Sequence, residues 1–217
     1  MARLKTGVLI SGSGTNLQAL LDAQAAPDYP AEIVLVISNR AHALGLERAK
    51  AAGVETQVID HKDFADRAAF DAALHGALVG AGCQLVCLAG FMRLLTAEFT
   101  EKWRDKLINI HPALLPAFKG LGAQAQTLEA GARIAGCTVH FVRPEMDAGP
   151  IIVQGAVPVL EGDDEVRLSK RILEVEHKIY PLALRLIADG RITVEGEKVH
   201  IRGATKETGA VLISPES

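Results

Sequence analysis

The strongest constraint on the fold is an alternation of short apolar runs with amphipathic segments along the first half of the chain. Thr6–Ser11, Glu32–Ser38, Thr56–Ile59 and Gln84–Ala89 are apolar enough to read as buried strands. Between them, Leu17–Asp22 and Leu44–Ala52 read as helices, the second closed by Gly53. A longer helix is expected from a cap at Asp63, through Phe64, Ala68, Ala72 and Leu74, to about Ala81. Thr96–Trp103 reads as a further helix, and a strand begins at Leu107. Strict β-α-β-α order predicts an α/β chain with a doubly wound, mostly parallel sheet and right-handed crossovers.

The second half is mixed. Ala123–Glu129 reads as a helix stopped by Gly131, followed by strands at Gly136–Val142 and Ile151–Val159. The acidic turn Glu161–Glu165 suits the positive end of a helix dipole. It opens a long helix to about Ala188, carrying apolar Leu168, Ile172, Leu173, Ile179 and Leu182. Arg191–Val194 and Lys198–Ile201 read as a small hairpin about Gly196, and Thr205–Ser217 as an adapted or loose tail.

At 217 residues and 49% hydrophobic content, one domain with a sizeable core is expected over 1–217. A net charge of −3 gives no basic field for a nucleic-acid partner. No apolar run is long enough for a membrane span, and no leader-like N-terminal segment is present, so a soluble cytoplasmic protein is expected. The three cysteines, Cys83, Cys87 and Cys137, have no metal or redox spacing and read as buried reduced thiols.

Candidate chemistry centres on Leu107–Pro116. Asn109 and His111 interrupt an apolar strand two residues apart, so a carboxamide and an imidazole share one side of it. Pro112 and Pro116 then end the ladder. In the expected topology the same sheet edge collects Ser11–Asn16, Asn39–Arg40 and Gly90–Leu95. Ser11-Gly-Ser-Gly-Thr-Asn16 lies between strand and helix, which suits a phosphate. It equally suits a tight turn with Thr15 or Asn16 capping the helix. It is neither the dinucleotide fingerprint nor a Walker loop. His140, between apolar neighbours, reads as a structural side chain, and Asp147 as part of an ordinary turn or as a carboxylate for His111. His111 can move a proton near neutrality, and the Asn109 amide can donate to an oxyanion. No serine, cysteine or metal-ligand set is placed for other chemistry, which fits an enzyme whose substrate brings the nucleophile, such as an amine attacking a carbonyl.

Asn109-Ile-His-Pro-Ala-Leu-Leu-Pro116, Val139-His-Phe141 and Met146-Asp-Ala-Gly-Pro150 resemble the signature of the formyltetrahydrofolate-dependent formyltransferases. Gly7–Leu20, Val36–Arg40, Gly45–Ala49, Leu88–Leu95 and Glu176–Pro181 are similar to the branch of that superfamily that formylates phosphoribosylglycinamide in purine synthesis. The resemblance implies a Rossmann-like formyltransferase fold with a mixed C-terminal part. Residues 1–111 would be a phosphate-binding half, 112–190 a folate-binding half, and 191–217 the hairpin and tail. The chain has no room for the extra domains of the transfer-RNA or hydrolase branches. The implied co-substrate is 10-formyltetrahydrofolate, without metal, and the amine is 5-phosphoribosylglycinamide. An amino-sugar nucleotide amine, formyl release to water, or a non-enzymatic binding domain are the rival readings, and a homodimer stays open.

By the same resemblance Asn109 would stabilise the oxyanion, His111 would assist proton transfer, and Asp147 would pair with it. Gly14, Thr15 and Asn16 would hold the phosphate, Glu176 the ribose, with Met92 and Pro112 alongside. Arg93, Leu94, Leu95 and the segment Val142, Arg143, Pro144, Glu145, Met146 and Asp147 would hold the pterin, much of it through backbone groups. His140 would stand behind the reacting groups. One departure is Gly122-Ala-Gln124, where the family commonly carries histidine.

Overall fold

The computed structural model describes residues 2–203 and Ser214. The elements in chain order are β1 (Leu4–Ile10), α1 (Thr15–Gln24), β2 (Ala31–Ser38), α2 (Leu44–Ala51), β3 (Glu55–Val58), α3 (Arg67–Gly80), β4 (Leu85–Leu88), α4 (Ala97–Lys102) and β5 (Leu107–His111). They continue as α5 (Ala123–Glu129), β6 (Ile134–Phe141), β7 (Ile151–Pro158), α6 (Glu165–Ala188), β8 (Ile192–Glu195) and β9 (Lys198–Ile201). Residues 205–213 and 215–217 of the expected tail lie outside the described residues.

β1 to β7 form a seven-stranded sheet in the order β3-β2-β1-β4-β5-β6-β7, and β8 and β9 form a separate hairpin. β1 runs parallel to β2 and β4, β2 to β3, and β4 to β5. β6 and β7 are antiparallel. The doubly wound, mostly parallel reading is therefore met. Strand order reverses between β1 and β4, the switch point at which open α/β sheets bind ligands.

The chain packs as two compact units, one of residues 1–109 with 141–144, the other of 110–140 with 145–217. The first has a core in which Leu9, Leu35 and Ile37 meet Phe70, Leu74 and Leu78 of α3 and Phe99 and Trp103 near α4. The second buries Leu168, Ile172, Ile179, Tyr180, Ala183 and Leu184 of α6. Those positions repeat at three and four residues, so they share one helical stripe. Leu182, also apolar, falls off that stripe and is exposed.

Two caps differ from expectation. A single 3-10 turn, His61–Asp63, intervenes before α3, and Asp66 rather than Asp63 caps that helix by accepting from Ala69 N–H at 2.8 Å. α1 begins at Thr15 with Gly14 as its N-cap and no side-chain cap, so Thr15 and Asn16 lie inside the first turn instead of capping it. α6 begins as expected beside the acidic turn, with Asp164 accepting from Arg167 N–H.

Asp163 in that turn accepts a forked pair of bonds from Arg171 at 2.7 and 3.1 Å, and the Leu160 amide at 2.8 Å. The guanidinium holds its carboxyl below the ordinary carboxylate value, against the opposing effect of burial. The folded-state value thus lies below the unfolded one. The stabilisation is present above about pH 4 and is lost as pH falls through the folded value. Asp163→Ala is expected to cost about 1–3 kcal/mol at pH 7 in urea melts. The wild-type advantage should shrink toward pH 3; a difference independent of pH would rule out the ion pair as its source.

Candidate active site

The C-terminal end of β5 carries Asn109, half-buried, and His111, 5% exposed. Both nitrogens of the His111 ring face acceptors. Nε2 is 2.9 Å from the Phe118 carbonyl oxygen, and Nδ1 is 3.4 Å from Asp147 Oδ2. A carbonyl can only accept, so Nε2 carries a proton and donates. Nδ1 faces the Asp147 carboxylate, which holds the ring's orientation. Asp147 Oδ2 also accepts from Gly120 N–H at 2.7 Å. Imidazole and carboxylate are therefore both tied to the loop after Pro116.

That loop takes unusual backbone: Phe118 has φ 52°, Gly120 81° and Gly122 68°. Asp147, between β6 and β7, has φ 47°. Two non-glycine residues in the left-handed region mark a site whose shape is imposed by its bonds. Gly122 caps α5, and Gln126 Nε2 donates to the Lys119 and Leu121 carbonyls at 3.3 and 2.9 Å. The side chain bracing this loop is thus Gln126, while Gln124 is half-buried in the first turn of α5.

His140 is 1% exposed on β6, where the pairing with β7 is irregular. Glu176 is 6% exposed on α6. Burial pushes the Cys137 thiol up to about 12, and the Glu176 carboxylate adds to the rise. Burial likewise raises the half-buried Cys83 to about 11. These thiols are not nucleophiles near neutrality. Pro112 is half-buried, and Pro144, Glu145 and Met146 are exposed.

In the first unit, Gly14 has φ 70°, and a Cβ built on it would lie 2.5 Å from Gly45 Cα. The turn and the start of α2 touch through backbone: Gly45 N–H donates to the Gly12 carbonyl at 3.1 Å. Arg48, from α2, donates to the Ser13 carbonyl at 2.9 Å and to Gln18 at 3.2 Å. The first bond of α1 runs from Gln18 N–H to the Gly14 carbonyl, so the amides of Thr15, Asn16 and Leu17 precede the helical ladder. Such amides, with the helix dipole and a guanidinium nearby, suit an anion. Gly14→Ala is expected to lose about 1–2 kcal/mol to the left-handed backbone alone, more if α2 cannot shift. An unchanged urea midpoint would show that the turn relaxes freely.

The segment after β4 belongs to the same unit. Met92 N–H donates to Ser11 Oγ at 2.8 Å, and Thr96 N–H donates to Asp71 Oδ2 at 2.6 Å. Met92 and Leu94 remain 58% and 59% exposed, with Arg93 exposed and Leu95 half-buried. Val142 is half-buried, and Arg143 is 6% exposed with its guanidinium 2.8 Å from Asp105. Its charge is spent inside the fold.

The formyl transferase model matches residues 4–184, and so takes in both the glycine turn and the Asn109–His111 strand. The chain belongs to the formyl transferase family. The phosphoribosylglycinamide formyltransferase of Escherichia coli is 42% identical over 196 residues, covering 90% of this chain and 92% of the relative. The crystal structure of glycinamide ribonucleotide transformylase 1 from Symbiobacterium toebii superposes with a TM-score of 0.90 at 54% identity, covering 92% of this chain and 94% of that one. The trifunctional purine biosynthetic protein adenosine-3 of Gallus gallus is 52% identical over 192 residues, covering 88% of this chain. This chain spans about a fifth (19%) of the length of that relative.

Sequence reasoning missed Arg48, Asp71 and Gln126, and named Ser11 and Asn39 only as part of the sheet edge, without their bond. Arg48 lay within a quoted family segment, Gly45–Ala49, and that segment was the available signal. The others act on groups distant in sequence or on loop backbone and leave no local pattern. Among the described residues no group of three or more His, Cys, Asp or Glu could hold a metal, and no helix is long and apolar enough to cross a membrane.

Proposed function

We propose that this family member transfers the formyl group of 10-formyltetrahydrofolate to the amine of 5-phosphoribosylglycinamide, a step of purine synthesis, in the cytoplasm. The observation that carries the reading is the His111–Asp147 pair, 3.4 Å apart, at the end of the strand that presents Asn109. The co-substrate supplies an electrophilic formyl carbon. The substrate amine attacks it, a C–N bond forms, and negative charge grows on the formyl oxygen. Asn109 donates its carboxamide N–H to that oxygen. His111, held between the Phe118 carbonyl and Asp147, stands on the same strand and assists the proton transfer. Asp147 Oδ2 is engaged by Gly120 and His111. Oδ1 takes the proton released by the attacking amine, directly or through water. The proton ends on the departing folate nitrogen as its bond to the formyl carbon breaks, and the charges balance.

The amides of Thr15 and Asn16, at the turn set by Gly14, hold the substrate phosphate, with Arg48 beside them. Glu176 takes the ribose, and Met92 and Pro112 line that side. The exposed apolar Leu94 and Met146 suit the ring system of the co-substrate, which the 93–95 and 142–147 segments hold chiefly by backbone groups.

The test is a spectroscopic assay of folate product with three amines: phosphoribosylglycinamide, its dephosphorylated form and an amino-sugar nucleotide. Turnover is expected with the first, with KM roughly 10²-fold or more higher without the phosphate. Equal KM for the first two would remove the phosphate site. Preference for the amino-sugar nucleotide, or turnover with water alone, would overturn the assignment.

A further inference from the structure

The ends of β1 and β2 and the segment after β4 meet at one buried hydroxyl. Ser11 directly follows β1 and is 3% exposed; Asn39 directly follows β2 and is 2% exposed. Ser11 Oγ lies 2.6 Å from Asn39 Oδ1 and 2.8 Å from the amide nitrogen of Met92, in the segment after β4. An amide N–H can only donate, so Ser11 accepts from Met92. Ser11 gives its single proton to Asn39 Oδ1, and the Asn39 nitrogen lies 3.4 Å from His61 Nδ1. The hydroxyl sits at the point where strand order reverses between β1 and β4.

Two of these three partners adjoin a binding segment. Gly12–Asn16, the phosphate turn, begins at the residue after Ser11. Arg93–Leu95 begins at the residue after Met92 and is pinned at its far end by Asp71 through Thr96 N–H at 2.6 Å. Asp71 is 3% exposed, so both pins are buried side chains holding backbone amides of a segment whose middle is exposed. A neutral, single hydroxyl thus couples the segment assigned to the formyl donor to the turn assigned to the amine substrate.

We propose that Ser11 is a positioning residue that sets these two binding segments relative to one another without touching either substrate. This rests on the substrate assignment made above. Ser11→Ala leaves the Met92 amide and Asn39 Oδ1 without the hydroxyl between them. The Met92 segment then loses one of its two pins, and the turn loses its tie to β2's end. The expected result is a rise of about tenfold in KM for both substrates, with kcat changed less than about threefold. Ser11→Thr keeps the hydroxyl and is expected to restore both KM values to within about threefold of wild type.

A second measurement holds even if Ser11→Ala does not fold. The chain has three methionines, Met1, Met92 and Met146, so 15N-methionine labelling leaves two backbone amides, Met92 and Met146, told apart by the signal that Met92→Leu removes. In the wild-type enzyme the Met92 amide is expected to exchange with solvent at least about 10²-fold more slowly than an exposed amide, although the side chain is mostly exposed. Fast Met92 exchange in wild type would overturn the proposal. So would a Ser11→Ala variant that melts earlier but keeps both KM values, or a Ser11→Thr variant as impaired as Ser11→Ala. If wild type fails to formylate phosphoribosylglycinamide while Met92 is protected, the substrate assignment falls, and with it the kinetic half of the proposal, while the hydroxyl tie stands.

Discussion

Asn109→Ala is expected to lower kcat by about 10²–10³ with little change in KM for either substrate. The carboxamide stands on β5 two residues before His111, so both project from one side of the strand. A donor that engages charge appearing only in the transition state should act on kcat and leave ground-state binding nearly alone. Fold stability should fall only slightly, because Asn109 is half-buried and the β4–β5 ladder at Leu88 uses its backbone. Single-turnover kinetics with saturating substrates give the cleanest reading. A near-wild-type rate would remove Asn109 from the chemistry.

Asp147→Asn is expected to cost about 10² in kcat or more. The carboxylate has two functions in the geometry. Its Oδ2 holds Gly120 N–H at 2.7 Å and faces His111 Nδ1 at 3.4 Å, and an amide oxygen can keep the first contact. What the amide cannot supply is a base for the amine's proton. The acidic limb of the kcat/KM profile against pH should therefore move, while the loop keeps its shape. Circular dichroism and urea melts check that the fold is retained. An unchanged pH profile would break the pairing of Asp147 with His111.

How much of this was legible in the sequence depends on the range of the interaction. The β-α-β-α order was readable because a buried parallel strand is apolar on both faces and each helix keeps its own stripe. Helix starts were less readable where two candidates compete. Asp63 and Asp66 both have the residue type for a cap, and only the intervening 3-10 turn selects Asp66. Leu182 is apolar by residue type, while its angular position on α6 puts it toward solvent. Asn109 and His111 stood out locally as polar residues in an apolar strand. The contact of His111 with Asp147 did not, because nothing in the spacing of a strand and a distant loop dictates it. The family resemblance supplied that pairing, and the geometry places the two groups 3.4 Å apart. Ser11 and Met92, 81 residues apart, are joined by a side chain and a backbone amide. Any residue at position 92 other than proline would offer the same donor, so the residue type carries no trace of the bond.

Formyl transfer to the substrate amine is tested most directly with a donor carrying 13C in its formyl group. Wild-type enzyme, labelled 10-formyltetrahydrofolate and phosphoribosylglycinamide are mixed, and the label is followed by NMR. The expected result is a new formamide carbon on the glycinamide product, appearing in step with the deformylated folate and reduced to about 10⁻² or less of the wild-type rate by Asn109→Ala. Label released as formate at the same rate with or without the amine, or a formamide signal undiminished in Asn109→Ala, would contradict it.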